Sequence, residues 1–419
     1  MQSWRSYLKW LKPGLGVKRW LLFLVLGVGL LSLGMAMALR ALYPLPQFFY
    51  FLTLQFLPRG LRASLVLLIG ILAIIYGLRG LYRAILEPFL VGAAQSVPEV
   101  IYDYRRRGRG PKIVVMGGGN GQAVSLRGLK AFTSNLTAIV TVADDGGSSG
   151  RLRRDIGILP PGDFRNCIAA LANDESLVTR LFHYRFAGGQ GLRGHSFGNL
   201  FITAMAGVTG SFESALRESS EVLAVQGQVL PSTLETVTLC ADVACEEGTP
   251  ERVYGESEIP KANGRILRVM LDPADPSAYP GAIQAILAAE LIVIGPGSLY
   301  TSLLPNLLVP EIVQALKAAP APKVYVCNVA TQPGETDHYT AEAHLSALEQ
   351  HLGKDVIDIV LVNSQVPSGE SFGDGTEWVK PDIAAHGSQR LVCANLVDET
   401  QAGHHDSHKL ARELRAMLR

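Results

Sequence analysis

Apolar positions follow two different rules along this chain. The first hundred residues hold two long uncharged runs, Trp20 to Leu39 and Ala63 to Leu78. From Lys112 onward the apolar runs are short, and several empty into a polar loop rich in glycine, aspartate or asparagine. A run of the first kind is long enough to cross a hydrocarbon core, where each buried Lys or Arg costs ~2.5–3.5 kcal/mol on insertion scales. Short runs bounded by turn residues read as buried strands, and the stretch Gln122 to Phe132 has helical spacing through Val124, Leu126, Leu129 and Phe132. The chain therefore divides into a membrane part and an α/β part.

The membrane part is expected to be a helical hairpin within residues 1–95, with spans at about 20–39 and 63–78. The second run is shorter, but tilt or snorkelling of Arg62 and Arg79 lets it cross. Tyr43, Phe48, Phe49, Tyr50, Phe51 and Phe56 lie between the spans as an aromatic belt. Basic residues precede the first span (Arg5, Lys9, Lys12, Lys18, Arg19) and follow the second (Arg79, Arg83, Arg105 to Arg107), which places both ends in the cytoplasm. A cleaved signal peptide is the weaker reading, because a second apolar run follows and no clean small-residue cleavage site does. Residues 96–111, with the run RRRGRG, form a basic linker, residues 112–400 the main domain, and residues 401–419 a tail helix.

Within the main domain, KIVVM, Thr137 to Val142, Thr236 to Ala241, Arg265 to Leu271, LIVI at Leu291 to Ile294, KVYVCNV at Lys323 to Val329 and Ile357 to Val362 read as strands. Several of them deliver a polar loop at the carboxyl end. In a parallel sheet such loops share one edge, and ligands bind where the strand order reverses. This places Gly117 to Gly121, Asp144 to Arg154, Gly295 to Tyr300 and Asn328 to Asp337 around one crevice.

The stretch TVADDGGSSGRLRRDIGILPPGDFR, Thr141 to Arg165, carries the densest candidate chemistry. Asp144 and Asp145 at a strand end suit Mg²⁺, a hard cation that takes oxygen ligands and here serves as the expected cofactor. Ser148, Ser149, Arg151 and Arg154 suit phosphate oxygens through backbone N–H groups and forked donors, as do Asp163 and Arg165 at the start of the next helix through position. GGGNG, formed by Gly117, Gly118, Gly119, Asn120 and Gly121, is either a phosphate-cradling turn at a helix N-terminus or a plain structural turn, since it lacks the full GxGxxG spacing. In RGHSFGN, Ser196 suits an N-cap, while His195 is the alternative general base and Asn199 a ligand contact. Gly295, Gly297, Ser298, Tyr300, Asn328 and Thr331 complete the candidate set from the later loops.

Composition narrows the picture. Lys plus Arg total 38 against 37 Asp plus Glu, a net charge of +1, which gives no case for nucleic acid. The five cysteines, Cys167, Cys240, Cys245, Cys327 and Cys393, form no CxxC pair, so neither a zinc site nor a disulfide framework is indicated. HHDSH at His404 to His408 could bind metal but reads first as a solvated start of the terminal helix.

GGGNG, TVADDGGSSGRLRR, GILPPGDFRNC, GHSFGNLF, SSEVLAVQGQVLPSTLE, GPGSLYTSLLPNLLV and YVCNVATQPGETD together resemble the gluconeogenesis-factor (YvcK-like) branch of the CofD superfamily, which includes 2-phospho-L-lactate transferase. The resemblance runs from about Lys112 to Leu361. It implies a Rossmann-like, mainly parallel sheet with an inserted helical subdomain at about 160–235, binding of a nucleotide-linked ligand such as a UDP-sugar, and a role in growth on gluconeogenic carbon, cell shape and cell-wall precursor supply. Many relatives carry GGGTG where this chain has Asn120. Two activities stay open: a regulator without turnover, and transfer of a phospholactyl-type group from a nucleoside diphosphate carrier to a deazaflavin. A homo-oligomer is compatible with either.

Overall fold

Gln122 explains how the first two strands are locked together. Its Nε2 donates to Val115 O at 2.8 Å and to Ile139 O at 2.9 Å, in a site from which water is excluded. Val115 lies on β1 (Ile113–Gly117) and Ile139 on β2 (Leu136–Val140), and every residue of both strands is buried, as fully apolar runs require when helices cover both faces. This computed structural model describes residues 105–418 except 174, 245–248, 263, 355, 366–371, 373–374 and 383–388, and only scattered positions between 28 and 76 of the preceding chain.

The remaining strands are β3 (Gln228–Pro231), β4 (Thr238–Ala244), β5 (Glu251–Tyr254), β6 (Arg265–Asp272), β7 (Leu291–Ile294), β8 (Lys323–Val326), β9 (Ile359–Asn363) and β10 (Arg390–Ala394). Seven form one sheet in the order β10-β9-β8-β7-β1-β2-β3, and every pairing in it is parallel. From β1 the chain steps to β2 on one side, whereas from β7 it steps to β8 on the other. The switch point therefore lies between β1 and β7, and right-handed crossovers put the two sets of helices on opposite faces.

On one face lie α1 (Gly119–Leu129), α2 (Gly147–Ile156), α3 (Gly162–Leu171), α4 (Glu175–His183), α5 (Phe197–Thr209) and α6 (Phe212–Val222), which all fall between β1 and β3 in the chain. The other crossovers contain α7 (Pro280–Leu287), a π-helical turn (Leu299–Leu303) running into α8 (Leu304–Leu307), α9 (Pro310–Ala318) and α10 (Ala341–Leu352). The terminal α11 (Ser407–Ala416) packs against α1.

Three features depart from the sequence pattern. The runs at Thr236 to Ala241 and Arg265 to Leu271 do form strands, but β4 and β6 pair antiparallel with each other and with β5 in a separate three-stranded sheet. Edge strands β3 and β10 carried no clear apolar signal, since an edge strand needs only one neighbour and β10 is half open to solvent. The start of the terminal helix is only partly solvated: His404 and His408 are exposed and Asp406 caps α11, but the buried His405 donates through Nε2 to Cys327 O at 3.2 Å, and Leu410, Ala411 and Leu414 are buried. Burial lowers the His405 pKa to about 4, so it stays neutral and does not read as a surface metal ligand.

Contacts divide the chain into two units, Met1–Arg106 and Arg107–Arg419. The first expected span lies largely outside the described residues and the second in part, and among the described residues no helix is long and apolar enough to cross a membrane. The described positions of the second run are helical, and Leu68, Ile69, Ile71, Leu72, Ile74 and Ile75 are exposed.

Candidate functional site

The two loops at the switch point touch. A Cβ on Gly121 would overlap Pro296 O, and one on Gly118 would stand 2.6 Å from Asp163 Oδ2, so neither position tolerates a side chain. Asn306 reaches the same place from α8, its Nδ2 donating to Gly117 O at 2.9 Å. Ser125 Oγ on α1 lies 3.4 Å from Gly295 O. GGGNG thus spans the end of β1, the N-cap Gly118 and the first turn of α1, which starts at Gly119, three residues earlier than helical spacing suggested, and its tight packing serves the structure as well as any ligand.

The loop from Asp144 to Arg154, termed the reaction loop below, enters from the neighbouring strand. After β2, Val142 and Ala143 remain buried, and Asp144 Oδ1 accepts the Gly146 N–H at 2.9 Å, a short side-chain turn that opens α2. The N-cap positions of α1, α2 and α3, at Gly118, Gly146 and Pro161, have no side-chain cap bond, whereas α5, α6, α10 and α11 are capped by Ser196, Ser211, Thr340 and Asp406. The starts of α1, α2 and α3 lie beside the carboxylates of Asp144 and Asp163, with Asp163 Oδ2 near Gly118 and Asp144 near Gly146 and Gly162, and a helix N-terminus favours negative charge.

A continuous polar network joins four of the sequence motifs. His195 Nδ1 lies 3.0 Å from Ser148 Oγ. Asn199 Nδ2 donates to Ser148 Oγ at 3.1 Å and to Ser149 Oγ at 3.3 Å. Arg165 Nη1 donates to Asn199 Oδ1 and to Ser196 Oγ, at 3.1 and 2.8 Å, and its Nε and Nη2 both reach Asn166 Oδ1. Asn166 Nδ2 closes the path to Asn120 Oδ1 at 3.4 Å. Ser196 also caps α5, accepting the Asn199 N–H. His195 is only 6% exposed, and burial, followed by the Arg151 charge, holds its pKa below the ordinary imidazole value. No carboxylate bonds to its ring, so Ser148 and His195 lack the third group of a hydrolytic triad.

Carboxylates line the other side. Burial pushes Asp163 up to about 7, with Asp144 adding to the shift and the Gly119 N–H and Arg165 opposing it. Asp144 is raised by the same cause, against hydrogen bonds from Gly146 and Ser149. Glu256, which the sequence reading passed over, is pushed up to about 8 by burial and by Asp144, Asp163, Asp145 and Glu335. Glu335, inside the TQPGETD motif, accepts from Thr301 Oγ1 at 2.9 Å at the start of the π-helical turn, and burial raises it too. Glu335 had a signal, since it sits in a polar loop after a strand. Glu256 had none, because it belongs to the separate sheet.

The other candidates fall into distinct places. Asn328 exchanges two hydrogen bonds with Gly297, accepting its N–H at 3.1 Å and donating to its carbonyl at 2.9 Å. Ser298 Oγ accepts from Gln332 Nε2 at 2.8 Å, and Tyr300 OH meets Tyr339 OH at 2.9 Å. Thr331 instead accepts the Glu377 N–H, holding a neighbouring strand-like segment. Arg151 donates to Arg193 O, while Arg154 is exposed on the last turn of α2 and bonds to none of the network residues. Asp145 accepts the Ser257 N–H at 3.0 Å. Asp163 Oδ2 stands beside Gly118 of the GGGNG turn and Asp144 Oδ2 beside Gly162, while, beyond burial, Asp144 raises the Asp163 pKa and Asp145 that of Asp144.

Among the described residues no three His, Cys, Asp or Glu side chains stand as a metal-binding group. Asp144 and Asp163 supply carboxylate oxygens, and burial is the first cause of their raised pKa values. Such a pair fits Mg²⁺ that completes its shell with water and ligand phosphate, the usual habit of this ion. A cavity of ≈ 680 Å³ opens at the opposite ends of β1 to β3, lined by Lys112, Asn135, Gln228 and Tyr279 among others. It contains none of the candidate residues.

Comparison with known proteins places this geometry. The family described as 2-phospho-L-lactate transferase CofD matches residues 113–397. The gluconeogenesis factor of Bacillus subtilis is 48% identical over 74% of this chain and 99% of its own length, and that of Halalkalibacterium halodurans is 53% identical over 60% of this chain and 77% of its own. A relative from Nostoc sp. is 47% identical over 98% of this chain and 92% of its own length. A crystal structure of a protein from Bacillus halodurans superimposes with a TM-score of 0.66 at 45% identity, covering 73% of this chain and 99% of that one. With its parallel sheet, glycine turn and carboxylate loop all inside the matched region, the chain belongs to the CofD family, in its gluconeogenesis-factor branch.

Proposed function

We propose that the crevice at the carboxyl ends of β1, β2 and β7 binds a nucleoside diphosphate ligand, of which a UDP-sugar is the expected form, and that the protein acts as a regulator of carbon metabolism, cell shape and cell-wall precursor supply. The observation that carries this reading is the convergence of three helix N-termini with Arg165, Asn199 and the serines on one side and Asp144 and Asp163 on the other. Donors of the first kind suit phosphate oxygens, and carboxylates of the second suit the Mg²⁺ that accompanies a diphosphate. Asp144 and Asp163 would hold the ion, which would neutralise phosphate charge. Arg165 and the Ser148–Asn199 pair would orient the phosphates. The gluconeogenesis-factor names of the relatives favour the regulatory role.

A second reading rests on Asp163. A carboxyl raised to about 7 beside a glycine turn is matched to general-base work on an alcohol at neutral pH, which is what transfer of a phospholactyl-type group to a deazaflavin alcohol would need. Product analysis with activated phospholactate and a deazaflavin acceptor separates the two: product formation supports transfer, and saturable UDP-N-acetylglucosamine binding without product supports regulation. Absence of both binding and product would reject the crevice as a nucleotide site.

The exposed apolar side chains of the second run and the basic residues flanking both runs support tethering to the inner face of a membrane, with the α/β domain in the cytoplasm.

A further inference from the structure

The small antiparallel sheet β4–β6 is pinned to the reaction loop at two points. Asp145 Oδ1 accepts the Ser257 N–H at 3.0 Å in the turn that follows β5, while the other oxygen, Oδ2, stands 2.6 Å from where a Cβ on Gly255 would lie. Gly255 has φ +104°, so the turn can admit this carboxylate only with glycine there. On α2, Arg153 Nη2 donates to Val237 O, next to the first residue of β4. The result is a specific placement for the residue between Gly255 and Ser257. A Cβ on Gly146 would lie 3.5 Å from Asp144 Oδ1, 3.7 Å from Ser257 Cβ and 4.0 Å from Glu256 Oε2, so the Glu256 carboxyl and Asp144 flank the same stretch of the reaction loop.

We propose that Asp145 is the clasp of the small sheet, a positioning residue and not a metal ligand, and that Glu256, the residue the clasp delivers, is a further ligand-contacting group of the crevice. The proposal rests on the nucleotide-ligand reading above. The groups facing Glu256 are Asp144 and Asp145 from the reaction loop, Asp163 from α3 and Glu335 from the loop after β8. On its own turn, Glu258 is paired with Lys261 at 2.8 Å. Burial comes first among the causes that raise the Glu256 pKa, and the four carboxylates add to it. A side chain placed there meets the phosphate or sugar hydroxyls of a ligand through hydrogen bonds.

Titration of the full chain with UDP-N-acetylglucosamine and Mg²⁺ tests this. Glu256→Ala should weaken binding about tenfold, about 1.4 kcal/mol, and Glu256→Gln, which keeps the shape and still donates, should recover most of it. Asp145→Ala should weaken binding similarly, and Asp145→Asn should recover most of it, because the amide oxygen still accepts the Ser257 N–H. Glu256→Ala with the affinity of the parent, or Asp145→Asn as poor as Asp145→Ala with loss of the Mg²⁺ response, overturns the proposal. Failure of the parent to bind rejects the nucleotide reading instead. The clasp is then judged without ligand: exchange of the Ser257 amide should be at least about tenfold faster in Asp145→Ala than in the parent or Asp145→Asn, and equal rates in all three overturn it.

Discussion

Arg165 Nη1 and Asn199 Oδ1 lie 3.1 Å apart, joining the starts of two helices 34 residues apart in the chain. The guanidinium is 8% exposed, and burial is the first cause of its lowered pKa. Its three acceptors, Asn166, Ser196 and Asn199, are themselves buried, so the network has few alternative partners. Through Asn199 and Asn166 this one side chain reaches both Ser148 and Asn120.

Arg165→Ala should therefore lower stability by about 1–3 kcal/mol, the usual cost of leaving buried polar groups without a donor. Arg165→Lys should recover little of it, because an ammonium cannot reproduce the planar fork that serves Ser196 and Asn166 together. Denaturant unfolding of parent and variants measures both, and a fully restored midpoint in the lysine variant would show that charge alone matters.

The carboxylates give a pH signature. The folded pKa of Asp163 is raised from 3.8 to about 7, so between those values the folded state holds more protons than the unfolded state. This contribution to stability is full below pH 3.8 and is lost as pH rises to about 7, at a slope of up to about 1.4 kcal/mol per pH unit. Asp144 and Glu256 are shifted in the same direction and add to the trend. Thermal melts of Asp163→Asn should show a flatter profile over this window than the parent.

Asp144→Asn should weaken Mg²⁺-dependent binding of a nucleoside diphosphate about tenfold or more while leaving the fold intact, since shape is kept and carboxylate charge is lost. The amide oxygen can still accept the Gly146 N–H, so the melting temperature should hardly change. Calorimetric titration with and without Mg²⁺, beside melts, checks this. Equal affinity in parent and variant would remove Asp144 from the site.

Topology is testable by labelling. Tyr50→Cys should react with an impermeant thiol reagent applied outside intact cells, whereas the exposed Cys393 of the same chain should react only after lysis. Labelling of residue 50 only after lysis would count against a full hairpin.

The parallel order of the main sheet explains how much was legible in the sequence. Apolar runs leading into a polar loop identified β1, β2, β7, β8 and β9, and parallel strands necessarily bring their following loops to one edge. That reasoning alone gathered the GGGNG, DDGGSSGR and GPGS loops and pointed to Ser196 as a cap, as found. Side-chain direction was beyond it. Adjacent Asp144 and Asp145 look equivalent in the chain, yet a backbone amide of a distant turn claims Asp145, whereas Asp144 accepts the Gly146 N–H of its own loop. Glu256 reached the crevice by packing of a sheet whose strands looked like any others, and His405 left the surface because α11 docks on α1. Periodicity records which face of an element is apolar. Which neighbour covers that face, and what water is thereby removed from a carboxylate or an imidazole, is decided only by tertiary contact.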